Sequence, residues 1–100
     1  MVTWKPQARM HLQNIYQYIA KDSTSIAKKI VNELAECTRQ LNDFPFSGKT
    51  VPELNDEHLR ELHLHSWRVM YQIRQGDVYV IAVIHKRQMP VLEDIQNFKQ

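Results

Sequence analysis

In the first part of the chain, apolar residues return every three or four positions. Ala8, Leu12, Ile15, Tyr16 and Ile19 share one face of a helix, and Pro6 stands where its ring is pre-organised for the first helical turn. Asp22, Ser23 and Thr24 then offer capping side chains, and Ile26, Ile30, Leu34, Ala35, Thr38 and Leu41 repeat the period as far as Asp43. Two amphipathic helices with so short a connection make an antiparallel pair. Ahead of them, Val2 to Trp4 is a short extended piece ended by Lys5-Pro6. Pro45, Gly48 and Pro52 break the helical period and predict a loop crossing from Phe44 to Glu57.

Beyond the loop the period falls to two. Leu59 to His65, Trp67 to Arg74 and Val78 to Lys86 read as strands, and in the second Trp67, Val69, Tyr71 and Ile73 alternate with Arg68, Met70, Gln72 and Arg74. Gln75-Gly76-Asp77 is a tight turn. Val78, Val80, Ile81, Val83 and Ile84 are apolar on both faces of the third strand, which places it mid-sheet. Pro90 closes this region, and Leu92, Ile95 and Phe98 predict a short C-terminal helix or tail. The fold class is α+β in the order β-α-α-β-β-β(-α), with a helical hairpin packed on one face of a small, largely antiparallel sheet. The other sheet face is expected to be partly open to solvent or a partner, and Trp4, Tyr16, Tyr18 and Phe44 to lie in or near the core.

Composition narrows the function classes. With 100 residues, 43% hydrophobic and 24% charged, the chain reads as one globular domain over residues 1–100, with little material for both a core and a deep enclosed active site. That argues against elaborate cofactor enzymology. The net charge of +2 gives no overall nucleic-acid signature. Cys37 is the single cysteine, so no intramolecular disulfide forms, which favours a reducing, cytoplasmic setting; inside a helix near the core stripe it is an inert small hydrophobe. Neither a signal peptide nor a membrane span is expected.

Local charge is more informative. Between His58 and Arg87 stand Arg60, Arg68, Arg74, Lys86 and Arg87 against Glu61 and Asp77, with four of the five histidines. If Leu62 and Leu64 face the helices, pleat alternation puts Glu61, His63 and His65 on the opposite face, where Arg68 and His85 can join them. That set suits an anionic partner such as RNA and proton transfer near neutral pH. The same residues read equally well as the solvated face of an amphipathic sheet. His63-X-His65 with His58 or His85 is the metal alternative, but no Cys pair or His-rich spacing supports it, so neither metal nor cofactor is expected. There is no glycine-rich phosphate loop and no nucleophile elbow. The unpaired edges of a small sheet are places where a partner adds on.

Taken in order, Leu59-Arg60-Glu61-Leu62, Trp67-Arg68-Val69-Met70-Tyr71 and Val80-Ile81-Ala82-Val83-Ile84-His85-Lys86-Arg87 resemble the RelE/ParE superfamily of bacterial toxins from type II toxin-antitoxin pairs. The resemblance spans almost the whole chain, including Gly48-Lys49 and Val51-Pro52-Glu53. It implies a toxin neutralised by a cognate antitoxin, a toxin-antitoxin hetero-oligomer and a role in plasmid stabilisation. RelE-like members are ribosome-dependent messenger-RNA endoribonucleases, whereas ParE-like members poison DNA gyrase without enzymatic activity of their own. On the first reading the catalytic candidates are His63, His65, Arg68, His85 and Arg87, although Gln88-Met89-Pro90-Val91-Leu92 holds no match for the late tyrosine of RelE. The apolar strand running into His85, Lys86, Arg87 and an amphipathic tail is closer to ParE, which makes a non-enzymatic gyrase poison the leading expectation. Target contacts are then expected at Arg60, Arg68, Lys86, Arg87, Leu92, Ile95 and Phe98, and antitoxin contacts at Leu12, Tyr16, Ile19, Val69 and Tyr71. A third reading is an inactive member that only binds its antitoxin.

Overall fold

Three residues of extended chain, Val2–Trp4 (β1), lead into helix α1 (Pro6–Ala20), with Pro6 at its first position. Helix α2 (Thr24–Glu36) starts at Ser23, whose hydroxyl accepts the Ile26 amide at 3.2 Å. Strands β2 (Lys49–Thr50), β3 (Leu59–Leu64), β4 (Trp67–Arg74) and β5 (Asp77–His85) come after the helices. The computed structural model describes residues 1–88, so the expected C-terminal element at Leu92, Ile95 and Phe98 lies outside the described residues.

The sheet order is β1-β5-β4-β3-β2, with β1 parallel to β5 and all other pairs antiparallel. Strand β5 is thus internal, as its two-faced apolar run predicts. From α1 and α2, Ala8, Ile15 and Leu34 pack with Val69, Tyr71, Ile73, Val78, Val80 and Val83 of the sheet. Leu62 and Leu64 lie on this helix-covered face too. A bulge sets the far half of β5: Met70 pairs with Ala82 and Tyr71 with Val80, which leaves Ile81 as the extra residue. Ile81 and Ala82 therefore both join the opposite face, between Val80 and Val83 on the helix face.

Several expectations need correction. Helix α2 ends at Glu36 instead of running to Asp43, and just beyond its end the Thr38 hydroxyl donates to the Ala35 carbonyl at 2.9 Å. A 3₁₀ turn over Arg39–Asn42 then carries Leu41 into the core. Ile26 is 52% exposed, off the apolar stripe, and Tyr18 and Phe44 are exposed as well. The crossing from Phe44 to Glu57 contains β2, an edge strand on β3. The second sheet face is only partly open, as expected: Met70, Ile81 and Leu59 are each 1% exposed there, in a cluster with Val51 and Ala82, whereas Lys49 is exposed.

Two turns fix where strands β3, β4 and β5 begin and end. Gln75 (φ 52°) and Gly76 (φ 83°) join β4 to β5 with both central residues left-handed, the two-residue turn whose twist suits a hairpin. His65 (φ 54°) opens the β3–β4 turn, so β3 ends at Leu64, one residue short of the expectation.

Candidate functional site

On the face away from the helices, Arg68 is the centre of a buried ionic cluster. Its Nε donates to Glu61 Oε1 at 2.7 Å and its Nη2 to Glu61 Oε2 at 3.0 Å. Its Nη1 and Nη2 also grip Glu53 at 3.0 and 2.8 Å, and Nη1 donates a further bond to the Gln88 carbonyl at 3.1 Å. One bond from Nε and two from each Nη use all five guanidinium N–H groups. The Arg68 side chain is 6% exposed and that of Glu61 1%, so both ions survive burial because the pairing is bidentate and complete.

Charge states follow from this geometry. Hydrogen bonding to Arg68 holds the Glu53 carboxyl below its ordinary range. Burial presses the Glu61 carboxyl upward, but Arg68 and then His63 outweigh it, and the net direction is down. The two carboxylates, Glu53 first, push the Arg68 guanidinium further up. His63 Nε2 lies 2.6 Å from Glu61 Oε1. The pairing of Lys49 with Glu61 across β2 and β3 brings Lys49 to the same face, where Ser47, Gly48, Lys49, Glu61, Leu62 and His63 border a concavity of about 360 Å³.

The expected convergence of histidines on Arg68 does not occur. His65 sits in the turn, and its left-handed backbone carries it off the pleat to Glu33 of α2, with Nε2 2.5 Å from Oε2. His85 pairs in register with Trp67, on the opposite face from Arg68, and stacks edge-on against that indole at 5.5 Å. The bulge in β5 causes this, because one extra residue shifts the alternation. Arg87 is exposed in the turn after β5, next to Lys86, and its amide donates to His85 Nδ1 at 3.3 Å. Among the described residues, no group of three or more His, Cys, Asp and Glu side chains is arranged to hold a metal ion.

Arg60 is bound by its own chain. Its guanidinium donates to the carbonyls of Glu57 (2.9 Å), Phe46 (3.3 Å) and Gly48 (2.8 Å) and lies over the Phe46 ring at 4.9 Å. Of the expected antitoxin contacts, Leu12 and Tyr16 line an apolar concavity of about 370 Å³ with Arg9 and Gln13 of α1 and Val31 of α2. Ile19 is half-buried against the core. Val69 and Tyr71 are 0% exposed, packed in the core beneath the helices.

Glu61 stands beside Arg68 on the face where pleat alternation put it. Two features were not anticipated. Glu53 had no signal, being an acid in an irregular loop. The second is a lock under the loop: Tyr71 Oη donates to the Pro45 carbonyl at 2.7 Å and accepts the Gly48 amide at 3.0 Å. A Cβ at Gly48 would stand 2.5 Å from Tyr71 Oη and 2.7 Å from the Glu61 carbonyl, so only glycine fits. Burial pushes the Tyr71 hydroxyl's pKa up.

Comparison with known proteins adds a family context to this geometry. A sequence model described as the ParE toxin of the type II toxin-antitoxin system, parDE, matches residues 2–90. A solved structure described as the chromosomal ParDE toxin-antitoxin system from P. aeruginosa superposes with a TM-score of 0.70 at 18% identity, covering 84% of this chain and 92% of that one. No curated protein matches in sequence.

Proposed function

Because the chain belongs to the ParE toxin family of type II toxin-antitoxin systems, we propose that it is a toxin that arrests growth by poisoning DNA gyrase and is neutralised by a cognate antitoxin. The observation that carries this over messenger-RNA cleavage is the state of Arg68. A ribonuclease needs a cation preorganised toward the charge that develops on the phosphate, and this guanidinium has no N–H left to offer. The other cleavage candidates are dispersed over two faces and a turn. Lys86 and Arg87, exposed where β5 ends, are the described basic residues we assign to target contact, with Leu92, Ile95 and Phe98 beyond them in the sequence. The apolar concavity at Leu12 and Tyr16 suits an antitoxin segment that orders as it binds.

Purified gyrase with supercoiled DNA tests the proposal. The protein is expected to stabilise cleaved DNA complexes, and Lys86→Ala with Arg87→Ala to weaken this at least tenfold while antitoxin binding persists. Cut messages and early translation arrest on induction, with gyrase unaffected, would replace it with the ribonuclease reading. One observation favours that second reading: His63 keeps its place on the face of Glu61 and Lys49, with a carboxylate at 2.6 Å to orient it. Its variant His63→Ala would then abolish message cleavage.

A further inference from the structure

Phe44 and Phe46 stand two residues apart on the turn between the 3₁₀ segment and β2, 67% and 52% exposed. Apolar rings left in water are unfavourable, and neither carries a polar group that accounts for its place at the surface. The turn that bears them is nonetheless held at every residue. The Phe44 amide donates to the Gln40 carbonyl at 2.9 Å, and the Ser47 amide to the Phe44 carbonyl at 3.0 Å. The Tyr71 hydroxyl binds Pro45 and Gly48, and Arg60 binds the carbonyls of Phe46 and Gly48. Arg60 also lies over the Phe46 ring, while the His58 ring meets it edge-on at 6.2 Å and 66°.

A turn held in this way presents its rings already ordered, which removes a cost that an interface otherwise carries. Fixed aromatic anchors fit pockets on a folded partner. That sets the turn apart from the concavity at Leu12 and Tyr16, which suits an incoming segment: a segment that orders as it binds has no pocket of its own for a fixed ring. Charge narrows the partner further. Asp43 directly precedes Phe44, and Asp56 and Glu57 precede His58, with Asp56 Oδ1 3.8 Å from His58 Nδ1. These three acids outnumber the exposed Lys49, and the Arg60 guanidinium is turned to backbone carbonyls. Carboxylates so placed repel a phosphate backbone and complement a basic rim on a protein surface.

We propose that Phe44 and Phe46 are anchors by which the protein grips its target, inserting into an apolar pocket with a basic rim on a gyrase subunit. The inference rests on the gyrase reading and adds the surface through which that target is held. It gives Arg60 a positioning role, keeping the Phe46 carbonyl and ring in place.

The concentration of full-length protein that gives half-maximal cleaved DNA with purified gyrase and supercoiled plasmid tests it. Phe44→Ala and Phe46→Ala are each expected to raise that concentration at least tenfold. Tyr18→Ala, which removes a ring of similar exposure (69%) from α1, is expected to leave it within about twofold. Phe44→Ala is expected to keep the urea midpoint of the parent chain, so its loss is read on folded protein even if Phe46→Ala, which also strips the ring from under Arg60, is destabilised. Unchanged potency of both variants, against a parent that traps gyrase, overturns the inference and leaves the gyrase reading standing. A parent chain inert on gyrase overturns that reading and this inference with it. Binding of a fluorescein-labelled single-stranded oligonucleotide without gyrase, weakened by Phe44→Ala, would make the turn a base-stacking platform and also overturns the proposal.

Discussion

Arg68 carries the largest single consequence at the level of the residue. Removing it leaves Glu61 buried with only His63 beside it and Glu53 without its guanidinium partner, and a buried pair broken on one side costs about 3 to 5 kcal/mol. Arg68→Ala should therefore lower unfolding stability by about that much in urea titrations at neutral pH. The deficit should narrow toward pH of about 4, where carboxylates take up protons. In the unmodified protein both glutamates have folded pKa values below their ordinary ones. Their contribution is thus fully present above the ordinary value of 4.5 and is lost as pH falls through the lower folded values, so urea midpoints measured from pH 6 downward should decline in that acid window. Gly48→Ala is expected to cost about 1 to 3 kcal/mol by overpacking Tyr71 and the Glu61 carbonyl. Tyr71→Phe should cost a similar amount, about 1 to 3 kcal/mol, by leaving the Gly48 amide and Pro45 carbonyl unpaired. Burial pushes the Cys37 thiol up to about 11. With its thiolate about a hundredfold scarcer than at the ordinary 9.0, a disulfide reagent should modify it far more slowly in the folded protein than in urea.

Turns and bulges decide how elements present their side chains, and here the sequence was only partly legible. Gln75 holds φ 52° beside Gly76, a conformation that asparagine adopts more readily than glutamine. Gln75→Asn is accordingly expected to stabilise the β4–β5 hairpin by a few tenths of a kcal/mol to about 1 kcal/mol, read as a raised urea midpoint. The helical pair and β4 followed from periodicity because each has one apolar stripe and one partner face. The face shared by Glu61 and His63 followed from Leu62 and Leu64 for the same reason. The positions of His65 and His85 did not, since a left-handed turn residue and a one-residue bulge leave no trace in an apolar/polar pattern. Nor did the end of α2, since Thr38 and Leu41 continue the helical period past Glu36. The two-residue β2 is too short to carry any period.

For the whole molecule, the sheet is a middle layer with a different partner on each side. Helices α1 and α2 cover one face, and the other combines an apolar cluster with the Arg68 ion network. Toxin-family membership rests on the match over residues 2–90, while the proposed choice of target rests on the fully paired guanidinium of Arg68. The parallel pairing of β1 with β5 sets the order in which this layer is completed. Val2 and Trp4 find Val78 and Val80 only after almost the entire chain has been synthesised. Domains fold as units while their chains emerge, and a contact so distant in sequence forms late. A message cut short before codon 78 therefore yields a peptide with no neighbour for its first strand. Termination before that codon is accordingly expected to leave an unfolded product, its first strand without the partner that β5 supplies.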